Sequence, residues 1–255
     1  GSSRSRARPA FRKGPEPPTY GERKVFESPL FWLFAAPGLL LGFYAQSRIK
    51  LNYMKYSQIA TASGMTGAEV ARHLLDAKGL RDVRIETTPG MLSDHYDPRG
   101  RVLRLSQEVY YTPSVTAAGI AAHEAGHALQ DADDYFPMQV RSFIVPLVQL
   151  AAKIAPWVFF GGFVLGNEGV AWAGIILFGA QTLFTLVTLP VEFDASARAR
   201  NLLTAHGIVT QKENIEGLDK VLGAAAWTYV AGAVSAVGSL LYLVAIAIGS
   251  RRERY

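Results

Sequence analysis

Four long apolar segments divide the chain and predict its architecture. They are residues 29–46, 143–165, 170–190 and 222–249. Each is long enough, as a helix, to cross a hydrocarbon layer of about 30 Å. Lys153 is the one charged residue among them, and with Gln149 it makes the first half of the second segment amphipathic. We therefore expect four transmembrane helices, with the first half of the second near the interface.

The remaining residues form two polar regions and two basic tails. The predicted units are a basic disordered tail (1–28, beginning Gly-Ser-Ser like a tag remnant), a catalytic domain (47–142), a helical segment (191–221) and a basic tail (250–255). The fold class predicted is a mainly α membrane protein that carries a small α+β domain.

Local patterns in residues 47–142 predict mixed secondary structure. Thr66 and Glu69 have the spacing of a capping box at a helix start, and Gly79 is a natural stop. Alternating residues 101–106 predict a strand that follows a turn over 97–100. This strand is either the edge on which an extended substrate aligns or a half-buried hairpin strand, and both interpretations carry equal weight.

Composition and charge exclude several classes of protein. With 49% hydrophobic and 18% charged residues, the chain is too apolar to be disordered. Its net charge of +5 comes from the two ends, because residues 1–28 hold seven Arg or Lys against three Glu. A near-neutral body argues against nucleic acid as a partner. Since the chain has no Cys, any metal must bind to His, Asp or Glu.

A helix predicted from Pro113 or Ser114 to about Gln130 contains the sequence His-Glu-Ala-Gly-His at residues 123–127. His123 and His127 lie one turn apart on the same face, so both rings can reach a single Zn²⁺. Glu124 can then direct its carboxylate at a metal-bound water as a general base. The competing interpretation is an amphipathic helix whose His residues line a polar edge.

A catalytic zinc needs a third protein ligand and an open water position. The candidates are His73, His95, His206 and the acidic residues. We prefer Glu192, because it directly follows the third apolar segment. The developing oxyanion also needs a donor, for which His206, Arg198, Arg200 and His95 are open alternatives.

Three motifs resemble the YugP-type family of neutral zinc metallopeptidases of bacterial membranes. They are HEAGH at 123–127, DHYDP at 94–98 and PVEFDAS at 190–196, and the resemblance covers about residues 45–255. This family is similar to the HtpX-like membrane peptidases, whose zinc is held by the two His and by a Glu on a later helix. The resemblance implies a zincin-like catalytic domain, the ligands His123, His127 and Glu192, and Glu124 as general base.

One position departs from the HtpX-like pattern. That pattern has Asp four residues after the ligand Glu, where this chain has Ser196. A supporting role for Asp194 or Ser196 behind the ligands is therefore a hypothesis.

The count of membrane spans bears on the proposed site. With four spans, the regions 47–142 and 191–221 lie on the same side of the membrane, so His123, His127 and Glu192 can meet. Three spans would put Glu192 on the opposite side. The basic tails favour a cytoplasmic location of both chain ends, which would place the catalytic regions on the outer side. Arg and Lys also flank the spans on the catalytic side, so the sequence does not decide which side of the membrane carries the site.

Together these features predict a multi-pass membrane zinc endopeptidase with one zinc per chain. Its expected partners are the lipid bilayer, a membrane-associated protein or peptide substrate and, as a further option, an oligomer or membrane-protein partner. The first alternative is a catalytically silent pseudoprotease that acts as a scaffold. A channel or transporter is disfavoured, because the spans carry almost no ionisable residues.

Overall fold

The computed structural model describes residues 28–252, with side chains up to Gly249, so the two predicted tails lie almost entirely outside the described residues. Within this range the chain forms seven α-helices and three β-strands. They are α1 (Pro29–Tyr56), α2 (Gly67–Ala77), β1 (Arg84–Thr88), β2 (His95–Asp97), β3 (Val102–Ser106), α3 (Gln107–Tyr111), α4 (Val115–Ala132), α5 (Phe136–Val164), α6 (Glu168–Ala205) and α7 (Lys212–Arg252).

Four helices, α1, α5, α6 and α7, are long and apolar enough to span a membrane. Large apolar side chains on them are exposed, for example Phe43 at 71% and Trp157 at 80%. Apolar surface on this scale calls for lipid rather than water. The prediction of four membrane helices is thus confirmed.

The helices run further than the apolar segments that predicted them. The predicted boundary at residue 46 lies inside α1, and the one at residue 143 lies inside α5. The predicted boundary between residues 190 and 191 lies inside α6. Hydropathy marks only the part of a helix that faces lipid, whereas backbone hydrogen bonding continues beyond it. The third span and the predicted third-ligand segment therefore share one helix as far as Ala205.

Between α1 and α5 lies the polar domain, which consists of α2, the strands, α3 and α4. The predicted capping box opens α2, since the Thr66 hydroxyl accepts from the Glu69 N–H and the Glu69 carboxylate accepts from the Thr66 N–H. Gly79 follows α2 with a positive φ of 76°. Side chains from α2, β3 and the ends of α6 and α7 share a core with α4, including Leu74, Leu103, Leu203 and Leu218.

The three strands form one sheet in the order β1-β3-β2. Strand β3 is central: it pairs in parallel with β1 and antiparallel with β2. The edge-strand interpretation of residues 101–106 is therefore wrong. The strand does form a hairpin with β2, with Asp97 Oδ1 accepting from Arg99 N–H and Gly100 N–H in the turn, but it is buried along nearly its whole length rather than half-buried. Alternation reveals which face of a strand is buried but not how many neighbours pair with it.

Candidate metal centre

Three side chains that are distant in sequence converge on one point. His123 and His127 come from α4, and Glu192 comes from α6. Glu192 Oε2 lies 3.2 Å from His123 Nε2 and 3.5 Å from His127 Nε2. Among the described residues, these three form the one group of at least three such side chains whose ligand atoms lie close enough to hold a metal ion.

The donor set fits a zinc ion. Two Zn–ligand bonds of about 2.0–2.1 Å at a tetrahedral angle separate the ligand atoms by about 3.3 Å, close to the two distances found here. Glu192 is 2% exposed, and its Oε1 is buried without a hydrogen bond. A buried carboxylate is costly unless cations compensate it; Arg141 faces Oε1 at 3.3 Å, and a metal ion would compensate Oε2, which faces the two imidazoles. Two imidazoles and one carboxylate are also a common protein ligand set for catalytic zinc.

Close packing of α4 on α6 brings the two halves of the centre together. Fourteen of the 18 residues of α4 are buried, and the helix packs against both α2 and α6. At Gly126, a Cβ atom would lie 2.8 Å from the Ala195 carbonyl oxygen and 3.3 Å from its Cα. Glycine therefore allows the backbone of α6 to approach α4 beside the two His residues.

We expect Gly126→Ala to loosen the centre although alanine favours a helix. The methyl group must displace the backbone at Ala195, which we expect to lower the free energy of unfolding by about 1–2 kcal/mol after the gain in helix propensity. Zinc content and the thermal midpoint should both fall. Gly223→Ala is the matched control, because a Cβ there meets nothing within 4 Å. Equal behaviour of the two variants would contradict the packing argument.

Hydrogen bonds at the Nδ1 atoms, on the side of each ring away from Glu192, orient both imidazoles. His127 Nδ1 donates to Gln130 Oε1 at 2.9 Å, which leaves the lone pair of Nε2, on the side of Glu192, available to a metal ion. Gln130 is fully buried, and its Nε2 donates to the Val191 carbonyl and to Asp194 Oδ2. His123 Nδ1 lies 3.2 Å from the Ser196 hydroxyl. Gln130 thus ties one His to the helix that carries Glu192, and Ser196 supports the other.

Replacing Gln130 with Met should weaken zinc binding about 10- to 100-fold, the usual effect of losing a partner that fixes a ligand His. Competition with a chromophoric chelator measures this change. Gln139→Met is the matched control, since the exposed Gln139 side chain donates to Asp134 Oδ1, away from the two His residues. An unchanged zinc affinity in Gln130→Met would show that the His127 ring keeps its orientation without this bond.

Glu124 lies next to the centre in a setting suited to proton transfer. The residue is 8% exposed, and the backbone of Tyr96 in β2 lies close to its carboxylate. Burial raises the pKa of the Glu124 carboxyl to about 7, with a further increase from Glu192 and an opposing decrease from His123. A carboxyl group with such a pKa can accept and release a proton near neutral pH.

The other candidate ligands have partners elsewhere. His73 and His206 contact each other, and His95 Nδ1 donates to the Ser93 carbonyl. Two of the candidate oxyanion donors also form ion pairs, Arg198 with Asp133 and Asp194, and Arg200 with Asp219. Asp194 supports the centre indirectly through Gln130.

Sequence reasoning missed two residues of the site. Arg141 in α5 places its Nη1 3.3 Å from Glu192 Oε1, and Gln130 contacts His127. Gln130 could have been found, because it lies three residues after His127 on the same helix. Arg141 had no such signal, since only the packing of α5 brings it to the centre.

A cavity of about 710 Å³ lies beside the centre. It separates the β2 hairpin from the N-terminal half of α5. Its walls include Tyr96, Pro98, Met138, Arg141, Val145 and Pro146. Arg141 connects it to Glu192, so the cavity and the candidate metal centre are neighbours.

The chain resembles known proteins in sequence along most of its length. Residues 31–248 match the model of a protein family described as "Putative neutral zinc metallopeptidase". The chain is 46% identical over 224 residues to "Putative membrane protease YugP" of Bacillus subtilis (strain 168), covering 88% of this chain and 99% of that protein. No solved structure matches the chain.

Proposed function

Since the chain belongs to the family described as putative neutral zinc metallopeptidases and is a multi-pass membrane protein, we propose that it is a zinc-dependent endopeptidase that cleaves membrane or membrane-near proteins. The observation that carries the proposal is the convergence of His123, His127 and Glu192 beside the buried carboxyl of Glu124. A bare scaffold does not require a buried base at this position.

In this proposal His123, His127 and Glu192 hold one zinc ion per chain. Zinc in such a site supplies a Lewis acid that lowers the pKa of a coordinated water to about 7 and polarises a carbonyl oxygen. Glu124 takes the proton of the attacking water and passes it to the departing amine nitrogen. Its position directly after His123, one-quarter of a helical turn away, keeps it beside the ligands without joining them.

The edge of β2 is the proposed docking site for the substrate backbone. Strand β2 pairs with β3 on one side, and no other described strand pairs with it. An extended peptide can add to such an edge through main-chain hydrogen bonds. The cavity between the β2 hairpin and α5 then receives substrate side chains. Because α5 is also a candidate membrane helix, a substrate bound along β2 and in this cavity lies next to the membrane. Binding there favours substrates whose cleavage site lies close to the membrane surface.

Arg141 is the proposed donor to the developing oxyanion, because its guanidinium lies next to Glu192 and lines the cavity. Losing one such donor commonly lowers kcat about 100- to 1,000-fold. We expect Arg141→Gln to show a fall of this order with zinc retained. Arg99→Gln, which removes another cationic side chain of the cavity wall, is the control. A fall in zinc content that matches the fall in kcat would instead make Arg141 a support for Glu192.

The proposed activity can be tested on protein purified in detergent and reconstituted in liposomes. The substrates are an unfolded soluble protein and a membrane-anchored peptide with a cleavable juxtamembrane segment. We expect cleavage that stops on chelation, returns with zinc and favours the anchored peptide. Zinc-loaded protein that cleaves neither would support the pseudoprotease alternative.

A further inference from the structure

A second pair of histidines lies outside the candidate metal centre. His73 comes from α2, and His206 directly follows α6. Although 133 residues separate them in sequence, His73 Nε2 lies 3.0 Å from His206 Nδ1, and both side chains are exposed. The catalytic site proposed above uses neither residue.

The two rings are arranged like the His pair of the candidate metal centre. Their centroids are 5.0 Å apart with an interplanar angle of 88°. For His123 and His127 these values are 4.8 Å and 84°. Two ring pairs built from unrelated elements thus share nearly the same disposition.

The spacing of the nitrogens suits a shared metal ion. Tetrahedral coordination by two imidazoles places the nitrogens about 3.3 Å apart, which a small widening of the observed 3.0 Å would provide. In the absence of metal, an N–H of one ring donates to the lone pair of the other. A divalent cation can replace this shared proton, because each neutral imidazole has one lone pair to offer.

Neighbouring charges neither block the pair nor complete its coordination shell. Arg72 directs its guanidinium to the carbonyls of Leu80 and Val83 and to the carboxylate of Asp76. Glu69 is held in the capping box. Exposure leaves water free to fill the remaining coordination positions.

We propose that His73 and His206 bind a second divalent transition-metal ion of the zinc type, with water as the remaining ligands. The ion links α2 of the polar domain to the end of α6, the helix that carries Glu192. Binding to the folded form alone stabilises the protein in proportion to the logarithm of free metal concentration. With two protein ligands, this site is weaker than the three-ligand centre.

The test is zinc stoichiometry in the full-length protein, stripped with chelator and then dialysed against micromolar zinc at pH 7.5. We expect about two ions per chain in wild type and one in His73→Gln or His206→Gln. His95→Gln is the matched control, because His95 is exposed but has no His neighbour in the described structure, and it should keep two ions. Intrinsic Trp fluorescence and gel filtration check folding of each variant.

A second measurement identifies the ligands. Cu²⁺ bound to His127→Ala protein should show an electron paramagnetic resonance spectrum with two nitrogen ligands, which His206→Gln in the same background removes. Wild type with one ion, unaffected by His206→Gln, would overturn the proposal, as would equal losses in His95→Gln. Two ions kept in Glu192→Gln, with one in His206→Gln, would support this site and remove Glu192 from the ligands of the catalytic one, so the two failures are distinguishable.

Discussion

Glu192→Gln protein, dialysed against zinc-free buffer, should contain almost no zinc, whereas wild type keeps about one ion per chain. The substitution replaces the carboxylate that approaches both His123 and His127 with a neutral amide. Loss of a partner behind a ligand already weakens metal binding about 10- to 100-fold, so loss of a ligand should exceed this range. Proteolytic activity should disappear with the metal.

Elemental analysis of the purified protein measures this effect, with His127→Ala as a second variant expected to lose zinc. Glu213→Gln is the matched control, since it makes the same chemical change at an exposed position in the first turn of α7. Because dialysis also removes the weaker ion proposed at His73 and His206, that site does not obscure the result. Zinc retained in Glu192→Gln would remove Glu192 from the ligand set.

Glu124→Gln should keep its zinc and lose its activity. Gln has nearly the same shape as Glu and preserves the packing of a residue that is 8% exposed, but it cannot accept a proton from water at neutral pH. General base catalysis by a positioned side chain contributes about 10²- to 10⁴-fold, so kcat should fall by this factor. The zinc content and the gel-filtration profile should remain those of wild type.

Single-turnover cleavage of the membrane-anchored peptide gives the rate, and zinc analysis of the same sample gives the occupancy. Glu108→Gln in α3 supplies a control outside the centre. Activity close to wild type in Glu124→Gln would exclude Glu124 as the base. If wild type itself has no activity with zinc bound, the pseudoprotease scaffold becomes the better account.

Much of the architecture could be predicted because it depends on local patterns. The uncharged segments predicted the membrane helices, and Thr66 with Glu69 predicted the start of α2. The helix start near Ser114 was also correct, since the Ser114 side chain caps α4 by accepting from Ala117 N–H. The family assignment from the motifs is confirmed as well. The roles of Glu124 and of the three ligands stay predictions that the variants above test.

Features that depend on distant contacts could not be predicted with the same success. The edge-strand interpretation of residues 101–106 was wrong, because their alternation does not reveal that β1 and β2 flank β3. The helices continue beyond the predicted span boundaries at 46, 143 and 190, since hydropathy changes where lipid ends rather than where a helix ends. Arg141 was missed for a related reason: its partner, Glu192, lies in a different helix.

The sequence by itself determined the four membrane helices and the placement of His123, Glu124 and His127 on one helix, because both follow from hydropathy and helical spacing within short stretches of chain. Only the tertiary structure decided that Glu192 faces these His residues, that Arg141 and Gln130 join them, and that His73 meets His206. These contacts arise from the packing of α4 against α6, where Gly126 allows the backbones to approach, and long-range packing of this kind depends on the whole set of side chains between the helices rather than on any local pattern.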